Sequence, residues 1–185
     1  TTNLISYPKS EKRIEIAAVV LNLAYTALYL IGLGEAFILA FAGSALFVWL
    51  CVKRNILAEA LLQVFYIVMA VLGWLHFSDG IAMSQMPSSI HFGFIGVAII
   101  VWISSGVLLK KRIRSAHPFV DSFTTTFSVV ATLFMIKGDP YNWWYWLVID
   151  AIAIWLYYKR GLYFGAGMFA IYLILAIIGI VKEFL

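Results

Sequence analysis

Long apolar runs separated by short polar breaks follow one another along the whole chain. A transmembrane helix needs about 20 predominantly apolar residues, with roughly 17–25 as the usual range. The pattern predicts seven such spans, with ends placed to within about two to four residues. They are approximately Ile14–Ile31, Ala36–Val52, Leu57–Phe77, Ile90–Leu109, Phe119–Ile136, Asn142–Tyr158 and Tyr163–Ile180. We therefore expect an all-α membrane protein with seven transmembrane helices.

Composition leads to the same class of protein. Of the 185 residues, 64% are hydrophobic and 12% are charged, whereas soluble domains are about 45–50% apolar and about 25% charged. The net charge of +4 lies in short clusters between the apolar runs, so we expect no nucleic-acid partner. A single cysteine, Cys51, excludes an intrachain disulfide and an all-cysteine zinc site.

The basic residues predict the orientation in the membrane. Eleven of the 13 lysines and arginines precede the first span or follow the second, fourth and sixth spans. The other two, Lys137 and Lys182, follow the fifth and seventh spans. Positively charged loops remain in the cytoplasm, so we expect the amino terminus inside and the carboxyl terminus outside.

The chain also repeats itself at a shift of 106 residues. Trp-Leu-x-x-Lys-Arg occurs at 49–54 and at 155–160, and further identical pairs are Thr26/Thr132, Gly32/Gly138, Tyr66/Tyr172 and Gly73/Gly179. Apolar helices also align by composition alone, which is the alternative explanation. We predict one transporter domain over 1–185, with repeats at about 14–77 and about 119–180 joined by a linker helix at about 90–109. Parallel repeats of this kind bind substrate near the membrane midplane.

The sixth span carries a charge deep in the predicted membrane. Asp150 lies about 12 Å into this helix at 1.5 Å per residue, where an ionisable group is a functional candidate; the alternative is a hydrogen-bonded packing residue. Asn142, Trp143, Trp146 and Asp150 share one helical face. Two indoles one turn apart can hold a flat heteroaromatic or cationic ring, although an interfacial aromatic belt is an equal alternative.

The third span carries a polar stripe formed by Asn55, Glu59, Gln63 and Tyr66. Glu59 is about one turn from the basic Lys53–Arg54 loop and either pairs with it or lines a cavity. Gln63 is deeper and is the better candidate to bind a substrate hydroxyl or amide. Tyr66 and its repeat mate Tyr172 line the same cavity or pack in the core.

Other polar residues have simpler interpretations. Asn22, in the first span, is either a helix-to-helix hydrogen bond or a cavity residue. Glu15 and Asp121 begin the first and fifth spans, where the helix dipole favours carboxylates, so we expect capping or gating contacts. The sequence lacks a Walker glycine loop, a His-x-x-x-His pair and a serine–histidine–acid set. We therefore expect no metal, no cofactor and no enzymatic activity.

Four motifs of the chain are Asn142-Trp143-x-x-Trp146-x-x-x-Asp150, Tyr157-Tyr158-x-x-Gly161-Leu162-Tyr163, Pro118-Phe119-x-Asp121 and Glu59-x-x-Leu62-Gln63-x-x-Tyr66. With these motifs the chain resembles the PnuC family of bacterial vitamin transporters, and the resemblance covers nearly all spans except the fourth. The chain departs from the family where Gly34–Leu39 replaces a Trp-Pro-Phe-Gly-like segment, where Glu59 replaces an aspartate, and where Phe169 replaces a tyrosine. These departures bear on which substrate the chain carries more than on whether it is a transporter.

The resemblance implies a three-plus-one-plus-three bundle similar to the SWEET sugar carriers, assembled as a homotrimer among the lipids of the bacterial inner membrane. It also implies uptake of a vitamin precursor, nicotinamide riboside, by facilitated diffusion with trapping by intracellular phosphorylation. Trp143 and Trp146 would stack the base, Asn142 and Gln63 would bind its polar groups or the sugar, and Asp150 would shape the site. Thiamine, riboflavin and, for a SWEET-like carrier, a sugar remain alternative substrates. Phosphorylated forms should be excluded, because no basic residue lies in the predicted cavity.

Overall fold

A computed structural model describes residues 9–30, 33–76, 85–113 and 115–185. These residues form seven α-helices and no strand. The helices are α1 (Lys9–Leu30), α2 (Ala36–Lys53), α3 (Leu57–His76), α4 (Ser88–Leu108), α5 (Pro118–Ile136), α6 (Asn142–Lys159) and α7 (Tyr163–Phe184). A single wider turn, Leu109–Ile113, continues α4. The predicted all-α fold with seven helices is confirmed.

The helix ends differ from the predicted spans at the two ends of the chain. α1 begins five residues before Ile14, and α7 ends four residues after Ile180. Lysine and glutamate are good helix formers, so the helices continue beyond the apolar segments that the hydropathy pattern detects. The predicted ends at Ile31 and Phe77 lie outside the described residues, as does Gly32 of the repeat.

Five of the described helices, α2 to α5 and α7, are long and apolar enough to cross a membrane. α6 falls outside this set because it begins with an asparagine and four aromatic residues and carries Asp150 in its middle. α1 begins with a charged segment at 9–15. That α1 and α6 also span the membrane stays a prediction.

The helices pack in two groups. α1, α2 and α3 contact one another in chain order, and so do α4, α5, α6 and α7; contacts of α3 with α5 and of α1 with α7 join the groups. α4 packs mainly on α5, and most of its apolar side chains, such as Phe92 and Ile100, are exposed. Exposed apolar side chains suit a helix that faces lipid.

The turns that follow α2 and α6 have the same structure. Asn55 and Gly161, which are 106 residues apart, have φ angles of 57° and 69°. In each turn the next amide donates back to a carbonyl of the preceding helix, that of Cys51 at 2.8 Å or that of Tyr157 at 3.0 Å. This left-handed helix end favours glycine and tolerates asparagine. The sequence repeat is therefore accompanied by a repeated turn, while the full division into parallel repeats stays a prediction.

Candidate functional site

A cavity lies between α3, α5, α6 and α7, next to the main apolar core. The space that it encloses has room for about one water molecule, far less than the roughly 300–1,000 Å³ of typical ligand sites. The lining residues are Glu59, Leu62, Tyr66, Thr124, Ser128, Ile149, Ala153, Leu156, Tyr157 and Phe169. The structure therefore describes a closed state, in which a ligand of vitamin size would need the helices to move apart.

The polar stripe of α3 supplies one wall of this cavity. Glu59 and Gln63 are each 4% exposed. The Glu59 Oε1 atom accepts hydrogen bonds from Gln63 Nε2 at 3.1 Å and from the Tyr157 hydroxyl at 2.7 Å. Tyr66 lines the cavity two turns after Glu59. Asn55 does not belong to the stripe, because it lies in the turn before α3 and is exposed.

Glu59 does not pair with the basic loop after α2. Glu11 takes that place: its carboxylate lies 3.3 Å from Lys53 Nζ and 3.0 Å from Arg54 Nη2. Burial would raise the pKa of Glu11, but hydrogen bonds and charge from Lys53 and Arg54 outweigh burial and lower this pKa. The sequence-based alternative that Glu59 pairs with Lys53–Arg54 is therefore wrong, since α1 supplies a closer carboxylate.

Hydroxyl groups of α5 and α6 form the opposite wall, and the sequence pattern did not single them out. Thr124 and Ser128 are buried on α5, and Tyr157 is buried near the end of α6. One signal was present: Asp121, Thr124, Ser128 and Thr132 make a polar stripe at helical spacing, comparable to that of α3. All four side chains of this stripe are at least 97% buried.

None of the α6 residues predicted to bind substrate lines the cavity in the closed state. Trp143 packs against Gly179 of α7, where an added Cβ would lie 2.4 Å from the indole. Asn142 is 5% exposed and Asp150 is 2% exposed, and each has a buried Oδ1 atom with no hydrogen-bond partner among the described residues. Trp146 is half-buried. The binding roles of these residues stay predictions.

Asn22 and Tyr172 contribute to helix packing. Asn22 donates to the Ala18 carbonyl at 2.9 Å, and its side chain fills the space over Gly43 of α2. The Tyr172 hydroxyl accepts a hydrogen bond from Thr26 at 3.4 Å, which joins α7 to α1. For both residues the structure favours the helix-contact interpretation over a cavity role in this state.

Ionic and capping contacts connect the helices at one end of the bundle. This end carries Lys53, Arg54, Lys159 and Arg160. Arg54 Nη1 donates to the Arg160 carbonyl at 3.0 Å, and Arg160 forms an ion pair with Asp121. Glu15 Oε1 accepts the amide of Gly165 at 2.8 Å in the first turn of α7. Glu15 and Asp121 thus make capping and ionic contacts, as expected from their positions.

The side chains that line the cavity determine which ligands it could accept. Among the described residues, its lining contains a carboxylate, several hydroxyls and aromatic rings, and no basic side chain. The described residues contain no cluster of histidine, cysteine, aspartate and glutamate that could hold a metal. Such a lining can accept hydrogen bonds from a polar ligand and favours a neutral or cationic one over an anion.

Comparison with known proteins adds independent information. A sequence model described as nicotinamide mononucleotide transporter matches residues 12–182. The structure superimposes on a crystal structure of the vitamin B3 transporter PnuC with a TM-score of 0.74, at 16% sequence identity, over 94% of this chain and 83% of that chain. At this identity the superposition shows a shared fold. Comparison with curated protein sequences gives no match.

Proposed function

The chain belongs to the nicotinamide mononucleotide transporter family, and from this premise we propose that it takes up nicotinamide riboside, a precursor of NAD. Membership of the family makes the chain a multi-pass transporter of the bacterial inner membrane and not an enzyme. The vitamin itself, the mode of transport and the site residues belong to the proposal.

The proposal rests on the side chains that line the cavity. Glu59 is the carboxyl side chain of this lining, and the described residues that line the cavity include no lysine or arginine. Nicotinamide riboside has a cationic ring, an amide and a ribose, which suit a carboxylate and hydroxyls. A phosphate would bring negative charge next to Glu59 without a compensating base, so phosphorylated vitamins should be excluded.

The residues of α6 are proposed to contact the nicotinamide ring once the cavity opens. Trp143 and Trp146 would stack the ring, and Gln63 and Asn142 would bind its amide or the sugar. The two unpartnered oxygens on α6, Oδ1 of Asn142 and Oδ1 of Asp150, support this assignment, because a buried acceptor without a donor is costly until a ligand supplies one.

Transport by facilitated diffusion needs no catalytic group. A site that opens alternately to either face by movement of the two groups of helices is sufficient. Phosphorylation inside the cell would then trap the riboside, because the phosphorylated product no longer fits the site. We further propose that the exposed apolar surface of α4 meets lipid and neighbouring copies in a homotrimer.

The first test is binding to the purified protein, followed by quenching of its tryptophan fluorescence. Nicotinamide riboside, thiamine and riboflavin are compared on the parent, on Trp143→Ala and on Trp144→Ala, in which the replaced indole is 47% exposed. We expect quenching by nicotinamide riboside alone, lost in Trp143→Ala and kept in Trp144→Ala. Quenching by thiamine alone or riboflavin alone would show that this vitamin, and not nicotinamide riboside, is the ligand. Quenching by none of the three would overturn the proposal.

The second test is uptake into proteoliposomes. Radiolabelled nicotinamide riboside should enter down its gradient without an ion gradient, and excess glucose or nicotinamide mononucleotide should not compete. Competition by glucose would favour a sugar carrier. Competition by the mononucleotide at equal concentration would refute the exclusion of phosphate.

A further inference from the structure

Tyr157 is held in one orientation near the end of α6. It is 1% exposed and is the largest of the fully buried side chains. Its ring packs edge-on against Phe47 and Phe169, with centroid distances of 6.3 and 4.7 Å. Gly165 of α7 leaves the space that the ring occupies, since an added Cβ would lie 2.4 Å from it. The packing therefore fixes where the hydroxyl points.

The Tyr157 hydroxyl donates a hydrogen bond to Glu59 of α3. The distance from the Tyr157 hydroxyl to Glu59 Oε1 is 2.7 Å, and Gln63 donates to the same oxygen at 3.1 Å. A carboxyl group can accept through both of its oxygens. Because both of these hydrogen bonds are on Oε1, a donor from a ligand in the cavity that Glu59 lines would go to Oε2.

We propose that Glu59 binds the sugar hydroxyls of the transported riboside and that Tyr157 is the positioning residue that orients Glu59 for this contact. The inference rests on the proposed function and adds to it the part of the ligand that this wall recognises. A hydroxyl that donates to a carboxylate makes a stronger hydrogen bond than one that donates to a neutral group. A ribose offers two adjacent hydroxyls, and Tyr66 and Ser128 line the cavity near Glu59 to bind the second one.

The contact also joins the two groups of helices. Glu59 and Tyr157 are 98 residues apart, on α3 and α6. The orientation of the carboxylate therefore depends on how these two helices pack, and loss of one phenolic oxygen on α6 should change sugar recognition on α3. A purely structural role for Tyr157 would not have this effect on ligand selectivity.

The test compares two ligands that differ only in the sugar hydroxyls. Dissociation constants of nicotinamide riboside and of its 2′,3′-dideoxy analogue are measured by isothermal titration calorimetry on the intact protein. We expect the parent to prefer the riboside by about tenfold or more, since the hydrogen bonds of its two sugar hydroxyls are together worth roughly that factor. Tyr157→Phe and Glu59→Gln should each reduce this preference several-fold, with little change for the dideoxy analogue.

Tyr158→Phe is the matched control, because Tyr158 is the neighbouring tyrosine and is 61% exposed. It should retain the preference of the parent. If Tyr157→Phe and Glu59→Gln weaken both ligands equally, or keep the preference, the inference is wrong while the proposed function stands. If the parent binds neither ligand, the proposed function is wrong and the inference is overturned with it.

Discussion

Substitution of two aspartates that are equally buried should change stability in opposite directions. Asp150 is 2% exposed and Asp121 is 3% exposed. Asp121 forms an ion pair with Arg160 and accepts a hydrogen bond from Ser115. In contrast, Oδ1 of Asp150 is buried and has no hydrogen-bond partner in the part of the chain that the structure describes. Asp150→Asn should therefore stabilise the ligand-free protein, and Asp121→Asn should destabilise it.

The magnitudes follow from these environments. On folding, the Asp150 carboxyl must either carry its charge without a partner or take up a proton, whereas an asparagine does neither. A buried polar group without a partner costs about 1–3 kcal/mol, and more when it is charged, so Asp150→Asn should recover a gain in this range. Removing one partner of a buried ion pair costs about 3–5 kcal/mol. For a chain of this size, 1 kcal/mol corresponds to roughly 2–4 °C in the unfolding temperature. We expect a rise of at least about 2 °C for Asp150→Asn and a fall of at least about 6 °C for Asp121→Asn.

Thermal unfolding in detergent without ligand, followed by tryptophan fluorescence, measures both changes. The same samples are titrated with nicotinamide riboside, for which Asp150→Asn should lose at least about tenfold in affinity, or about 1.4 kcal/mol. A lower unfolding temperature for Asp150→Asn than for the parent would refute the reasoning, because Asp150 would then have a stabilising partner in the empty protein. Its free oxygen could no longer be assigned to a ligand.

Three further predictions concern packing, pH and orientation. Gly179→Ala should lower the unfolding temperature, because overpacking costs about 1–3 kcal/mol and the new Cβ meets an indole, whereas Gly167→Ala, with open space around it, should not. The pKa of Glu11 is lowered from 4.5, so the stabilisation that Glu11 provides is present above that pH and is lost as the pH falls below it. The parent should therefore lose stability between pH 7 and pH 3, and Glu11→Gln should lose less, which unfolding at both pH values measures. In a cysteine-free background, an impermeant thiol reagent outside the cell should label Glu183→Cys but not Lys9→Cys, and the reverse pattern would invert the predicted orientation.

Much of the fold was predictable because it depends on local properties of the chain. The seven helices follow from apolar runs whose lengths match a membrane, and the repeated Trp-Leu-x-x-Lys-Arg motif precedes two turns of the same structure. Part of the site was also predictable: Glu59, Gln63 and Tyr66 recur at helical spacing, and in the structure Glu59 and Tyr66 line the cavity while Gln63 donates a hydrogen bond to Glu59. Tyr157 was visible only as one tyrosine within a family motif, and its contact with Glu59 was not.

The sequence by itself determined the class of protein, the number of helices and the helix faces that carry polar groups. A helix spans the membrane because its apolar residues leave water and its backbone hydrogen bonds are made within the helix. Both contributions add up over residues that are close in sequence, so the pattern along the chain is sufficient to predict the helices. Only the tertiary structure decided that Glu11 and not Glu59 meets the basic loop, and that Tyr157 orients toward Glu59. These contacts depend on the rotation and tilt of helices that are far apart in sequence, and packing against neighbouring helices sets both.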